Sequence, residues 1–380
     1  MKRKIFIGLL ITMLIIGLTG CSSNNNKTSS SDNISNLTSL ISTSDIFTDR
    51  DLKQTIDTSE AETYIIKDGE NITITEEGVY VITGTANNAS VIVNTNDDSK
   101  VQLVISDLTI NNESSPCIYV KNADKVFITT MGSNSLTVNK TFTSDDTTNL
   151  DAVIFSKDDL VINGTGTLTI NSSDNGITSK DDLKITGGTI IINCISDGLE
   201  ANNSIAIKDG TITINSKKDG LHAEYAEDNS QGYIYIVDGT INITANDDAI
   251  HATTIVEIDG GKITTNSREG IEGTYIQING GTININASDD GINAGAKSSY
   301  YTPTIEINGG YITINMGSGD TDALDSNGNI YMNGGTLDII ARSSFDYDGK
   351  AEYNGGTIIV NGKETNEITN QMMGGQRDRR

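Results

Sequence analysis

Six acidic residues recur at one position of a short repeat, and their spacing suits cation chemistry. They stand in Asp197-Gly198-Leu199, Asp219-Gly220-Leu221, Asp248-Ala249-Ile250, Glu269-Gly270-Ile271, Asp290-Gly291-Ile292 and Asp322-Ala323-Leu324. Two residues beyond each Gly or Ala comes a second polar series: Glu200, His222, His251, Glu272, Asn293 and Asp325. If successive copies stack as parallel strands, equivalent carboxylates lie about 4.8 Å apart. A row that close raises its own pKa values, and a divalent cation relieves the repulsion. Ca²⁺ accepts several carboxylate and carbonyl oxygens in tolerant geometry. The metal candidates are therefore Asp197, Asp219, Asp248, Glu269, Asp290 and Asp322, with Glu200 and Glu272 beside them. Asp247, Asp289 and Asp320 add charge nearby. For any single aspartate an Asx turn explains the residue equally well.

His222 and His251 are the only histidines, and they occupy one column in adjacent copies. Zinc held by them with Glu200 and Glu272 would have two nitrogen ligands and no Cys, which is a thin ligand set. An outward polar ladder able to hydrogen-bond sugar hydroxyls, or to ligate Ca²⁺, is the stronger expectation. Aromatic rings suit sugar faces, and Tyr225, Tyr233, Tyr300 and Tyr301 lie in or beside two insertions, Tyr225 to Tyr233 and Ala296 to Pro303. Both insertions follow the same point of the repeat, so both are expected on one side, walling a groove across the acidic columns. Packing of these tyrosines onto the body is the competing explanation.

The elements that must position these groups are read from the period. Asp159 to Lys180, Asp181 to Asn202 and Asn203 to Glu224 are near-copies, with turn glycines Gly166, Gly188 and Gly210 spaced by 22 residues. Later turn glycines are Gly239, Gly261, Gly281, Gly310, Gly335 and Gly356. Within each copy, alternating apolar and polar runs are broken by Gly and Asx turns, which marks short strands. No copy buries its own apolar face, so neighbours must stack. The expected fold is all-β, a parallel β-helix of about 11 to 13 coils. Asn171, Asn193, Asn215, Asn266, Asn286, Asn315 and Asn361 follow their glycines by five residues, with Thr244 and Ile340 interrupting. They predict an internal structural asparagine ladder, with Asn111 and Asn139 as equivalents in the looser N-terminal coils. Asn175 and Asp151 are expected to extend the acidic row toward the N-terminus.

The chain has 51 acidic and 26 basic residues in 380, a formal charge of −25. Such a surface excludes nucleic acid and bare anionic membrane as partners. It fits cations, or anionic polymers bridged by cations, and it also keeps a long β protein soluble. Lys2, Arg3 and Lys4 precede the apolar run Ile5 to Leu18, and Leu18-Thr19-Gly20-Cys21 resembles the lipobox of bacterial lipoproteins. The expectation is a signal peptide over 1–20 and lipidation of Cys21, placing the protein on the outer face of a bacterial cell membrane and touching membrane only through its lipid. Residues 21–60 are expected to form a Ser/Asn/Thr-rich linker ending in a short cap over the open end of the helix, 61–364 the β-helix body, and 365–380 a disordered tail. Cys117 and Cys194 are about three coils apart, too far for a disulfide. A monomer is expected.

The runs GVYVITGTANNASVIVN and KVQLVISDLTINNESSPCIYVKNADKVFITT, then coils with G-G-T-I-x-I-N and S-D-G-[IL]-x-A, resemble secreted bacterial carbohydrate-binding domain-containing proteins from Gly78 to about Asn361. That resemblance implies a right-handed parallel β-helix akin to pectate lyases, binding acidic plant polysaccharide such as polygalacturonate, and cellulose, with Ca²⁺ on acidic residues. Asp197, Asp219 and Asp290 match the S-D-G motif. Asp248 and Asp322 carry Ala in place of Gly, and Glu269 replaces Asp. Three functions follow as expectations. The first is non-catalytic binding of acidic glycan. The second is a calcium-dependent polysaccharide (pectate) lyase, with Lys217, Lys218, Arg268 or Lys297 as base. The third is a rod-like surface adhesin.

Overall fold

The computed structural model describes residues 39–145, 148–318 and 321–371. The expected signal peptide and Cys21 lie outside these residues, as does Asp320. No helix among the described residues is long and apolar enough to cross a membrane.

One coil shows how the sequence builds the fold. Asp182–Ile185, Thr189–Asn193 and Leu199–Ala201 are three strands separated by turns. They pair in parallel with Ser204–Ile207, Thr211–Asn215 and Leu221–Ala223 of the next coil. Alternation sends Leu183, Ile185, Ile190, Ile192, Leu199 and Ala201 inward, where all are buried. The same positions in every coil join one continuous core of stacked Ile, Leu and Val. Third-face strands form a 12-stranded sheet, and those of the first two faces form a 24-stranded sheet. These two faces merge because Lys100–Asn112 runs through the corner, pairing with both Lys125–Met131 and Ser133–Val138. All ladders are parallel except the last, where Lys363–Thr365 folds back on Thr357–Val360. The molecule is the expected all-β parallel β-helix, with 12 third-face strands and a last coil of two, Ala351–Tyr353 and Thr357–Val360. Cys117 and Cys194 are free and buried.

The glycine of S-D-G has a steric cause. A Cβ at Gly220 would meet Ile243 Cγ2 at 2.4 Å and the Ala249 carbonyl oxygen at 2.5 Å in the next coil. Coils approach too closely there for a side chain.

Five expectations on the scaffold are corrected. The segment expected to cap the helix end lies instead along the outside of the first face. Ile41 N–H donates to Glu257 Oε2 (2.7 Å), Thr43 Oγ1 meets the Tyr235 hydroxyl (2.5 Å), Lys184 Nζ donates to the Ile46 carbonyl (2.6 Å), and Gly164 N–H donates to Gln54 Oε1 (2.9 Å). Ile41 and Phe47 pack on Ala206, Tyr235 and Ile255, and buried Asp51 sits between Lys125 (3.8 Å) and Lys184 (3.7 Å). A sheet face carrying exposed aromatic area is a larger hydrophobic target than the narrow helix end, which accounts for the placement. The tail is ordered further than expected. Gln371 N–H donates to the Phe345 carbonyl (2.8 Å), and Asn370 Nδ2 to that of Tyr347 (2.7 Å), covering the edge of the last third-face strand. Residues 372–380 of the expected tail lie outside the described residues.

The asparagine ladder exists but faces outward. Asn193 Nδ2 donates to Asn171 Oδ1 (3.2 Å) and Asn215 Nδ2 to Asn193 Oδ1 (3.0 Å), with Asn193 and Asn215 both exposed. Thr137, not Asn139, is registered with Asn111 and Asn171. Likewise Ala152, not Asp151, is registered with Asn175. Thirteen residues separate the strands Ser133–Val138 and Ala152–Ser156, which breaks the 22-residue count, so spacing could not place either neighbour. A second ladder went unread: Asn279, Asn308, Asn333 and Asn354 pass an amide hydrogen bond of 2.8 Å from coil to coil.

Candidate functional site

The acidic row stands at the entry to the third face, and several of its side chains hold the backbone of the next coil. Asp197 N–H donates to Asn175 Oδ1 (2.9 Å), Asp219 N–H to Asp197 Oδ1 (2.9 Å), and Asp248 N–H to Asp219 Oδ1 (2.9 Å). Asp322 N–H donates to Asp290 Oδ1 (3.0 Å) in the same way. One oxygen of Asp197, Asp219 and Asp290 therefore holds the next coil, whereas Asp248 gives its oxygens to Arg268 and His251 and Glu269 accepts from Asn293 Nδ2. Asp197, Asp219, Asp248 and Glu269 are buried, whereas Asp290 and Asp322 are half-buried. The outward series is in register as spacing predicted: Glu200, His222, His251, Glu272, Asn293 and Asp325 pair in turn.

The middle of the row is neutralised by the protein's own cations. Arg268 reaches Asp247 (2.5 Å), Asp289 (2.6 Å), Glu269 (2.6 Å) and Asp248 (3.2 Å). His251 Nδ1 meets Glu272 (2.8 Å) and Asp248 (3.0 Å), and Lys297 Nζ meets Glu272 (2.7 Å). His222 Nδ1 lies 3.4 Å from Asp197 and 3.3 Å from Asp219, and Lys180 pairs with Glu200 at 3.1 Å. Burial works against the charge of Glu272, yet His251 and Lys297 hold it well below the usual carboxylate range. Burial also opposes charge on His251, but its two carboxylate partners raise it to about 10. Asp197 is likewise lowered, His222 outweighing its burial. Asp219 is raised, mainly by burial.

Beyond Arg268 the row changes character. Asp290 and Asp325 form no ion pair among the described residues. Burial, then Asp325, Asp289 and Glu269, push Asp290 up to about 7 against the Asp322 N–H. Burial, then Asp346, Asp322 and Asp348, push Asp325 to about 6. Asp325 is registered with Asp346 in the next coil, which extends the acidic surface past the expected row. The donors here are all oxygen, matching a hard cation in type.

A pH prediction follows with a definite sign. Carboxylates whose folded pKa lies above the ordinary value destabilise the ionised fold, so stability falls as pH rises from about 4 through about 7. The raised histidines act in the same direction at higher pH, because their contribution is lost as they deprotonate. Lowered Glu272 and Asp197 lose theirs only as pH falls below the ordinary carboxylate range. Without divalent cation the protein is expected to unfold more readily at pH 7.5 than at pH 5, by about 2 kcal/mol after allowance for solvent screening. Thermal midpoints in chelator measure this, and a midpoint rising with pH over that interval would contradict it.

The two insertions lie on one side, as expected, and they touch: Ser298 Oγ donates to the Asn229 carbonyl at 2.7 Å. The tyrosines divide. Tyr300 is 65% exposed and free to stack. Tyr301 packs edge-on against Tyr275 (6.3 Å, 72°), Tyr233 packs on the first-face cluster, and Tyr225 is half-buried. Of these four tyrosines Tyr300 is the exposed one. Of the lyase-base candidates, Arg268 is held among four carboxylates that keep it protonated, and Lys297 is raised by Glu272 against its burial. Neither is poised to take a proton.

The family model for carbohydrate-binding domain-containing proteins matches residues 68–323 and again 269–375. The chain belongs to this family. A carbohydrate-binding domain-containing protein of Acetivibrio thermocellus is 37% identical over 122 residues, 31% of this chain and 43% of that protein. The match thus spans less than half of that relative's length. A solved structure described as the polysaccharide lyase-like protein from C. thermocellum, in a gadolinium derivative, aligns with a TM-score of 0.52 and 32% identity. That alignment covers 54% of this chain and 90% of the other.

Proposed function

We propose that this protein binds acidic polysaccharide, polygalacturonate-like chains foremost and cellulose second, without cleaving it. In this reading Ca²⁺ sits on the third face at Asp290, Asp322 and Asp325 and bridges to uronate carboxylates. Asp197, Asp219, Asp248, Glu269, Glu200 and Glu272, paired with Lys180, His222, His251, Arg268 and Lys297, form the polar wall that leads to it. The observation that carries the reading is the change along the two columns: ion-paired acids as far as Glu272, then the pKa-raised Asp290 and Asp325, which form no ion pair among the described residues. Carboxylates in that state gain most from a cation. Tyr300 supplies a stacking face, and His222 and His251 line the approach. Membership of a carbohydrate-binding family and the lyase-like neighbour support the polysaccharide. Lipid attachment at Cys21 would hold the rod at the outer surface of the cell membrane; the lipobox-like sequence supports this.

Pull-down on insoluble polygalacturonate and on cellulose tests the reading. Retention on polygalacturonate in calcium and release by chelator are expected, with cellulose binding indifferent to chelator and no unsaturated uronate product appearing. Equal retention on polygalacturonate in both conditions would remove the calcium bridge.

A further inference from the structure

His222 and His251 carry a feature that calcium does not explain. Their strands, Leu221–Ala223 and Asp248–Ala252, pair so that the two histidines are direct neighbours. Their ring centroids are 4.9 Å apart. Glu224, the residue after the first strand, brings its carboxylate to 3.1 Å from His222 Nε2. One ligand atom each from His222, Glu224 and His251 fall within 4.8 Å of one another. Tetrahedral zinc with bonds near 2.0–2.1 Å needs ligand atoms roughly 3.3 Å apart, so small side-chain rotations suffice.

The inner nitrogens are also arranged. His222 Nδ1 faces Asp197 and Asp219, and His251 Nδ1 faces Asp248 and Glu272. A carboxylate on one ring nitrogen fixes the tautomer and turns the other nitrogen to a metal. His251 Nε2 has no hydrogen-bond partner among the described residues. Imidazole nitrogens select borderline transition metals over Ca²⁺, which prefers oxygen.

We propose that His222, His251 and Glu224 form a site for a divalent transition metal of the zinc class, with a fourth position open to water or an external ligand. The site stands on two adjacent strands and on the residue opening the Tyr225–Tyr233 insertion. It is separate from the calcium stretch at Asp290 and does not depend on the glycan reading.

Calorimetric titration of the full chain with zinc, after chelator treatment and in excess calcium, tests it. A single saturable zinc ion per chain is expected. His222→Gln and His251→Gln should each weaken binding at least about tenfold, and Glu224→Gln, at an exposed side chain, by about tenfold. Asp290→Asn should leave zinc binding unchanged. Cobalt in place of zinc should give the visible bands of a tetrahedral centre, absent in the histidine variants. Absence of saturable zinc uptake, or uptake undiminished in Glu224→Gln and in both histidine variants, would overturn the site. Thermal melts in chelator establish that each variant is folded, and Glu224→Gln gives a reading even if a histidine variant is not.

Discussion

Replacing Arg268 by glutamine should lower the stability of this protein by about 2 kcal/mol at pH 7.5. Removing one partner of a buried ion pair costs about 3–5 kcal/mol. Arg268 itself is 41% exposed, so solvent screening reduces that figure. The carboxylates it leaves behind are not exposed: Asp248 and Glu269 are buried in consecutive coils of the row. Asp248 is already raised by burial and by Glu269, and losing Arg268 raises it further. A carboxylate with a raised folded pKa is destabilising when ionised and is relieved by protonation, so the loss should shrink toward pH 5. Arg268→Lys should fall between the two, since a lysine keeps charge but cannot reach four carboxylates with one planar fork. Chemical denaturation at pH 5 and pH 7.5 measures all three. A loss for the glutamine variant that is the same at both pH values would mean that Arg268 acts through packing alone.

The double variant Asp290→Asn, Asp325→Asn should have effects of opposite sign in calcium and in chelator. In chelator it should be more stable than the parent, because the cost of burying charge, and after it the repulsion, that push Asp290 up to about 7 and Asp325 to about 6 are gone. In calcium it should lose the cation's stabilisation and bind polygalacturonate at least about tenfold more weakly. The backbone can accept the change. Asn175 already uses its side-chain oxygen to hold Asp197 N–H as Asp290 holds Asp322 N–H. Thermal midpoints and glycan affinity in the two conditions supply the four numbers required. A variant less stable than the parent in chelator would show that these carboxylates are structural and not electrostatically strained.

The columns were legible because a solenoid converts spacing into contact. The repeat puts Glu200, His222, His251 and Glu272 side by side once the Tyr225 to Tyr233 insertion is set aside, and registers confirm that order. Asp197 and Asp219 were equally readable as a stack, but their hold on the next coil's N–H was not, because it depends on which carboxylate oxygen faces the backbone. Spacing failed at Asp151 and Asn139, where residues 139–150 depart from the period. It also could not show that the row divides at Arg268. The arginine's reach to Asp247, Asp248 and Asp289 emerges only when three coils are stacked. Buried Glu257, bonded to Ser39 and Ile41 in the N-terminal segment, had no sequence signal, since nothing in a Ser/Asn/Thr-rich stretch states which face it will cover.

The central claim is that calcium joins this acidic face to an acidic glycan, and calorimetric titration with a polygalacturonate oligosaccharide tests it most directly. The free-acid oligomer should bind in calcium and lose at least about tenfold in affinity in chelator, while its fully methyl-esterified counterpart should bind weakly in both. Equal affinity for the acid and the ester, or affinity for the acid unchanged by chelator, would contradict the account.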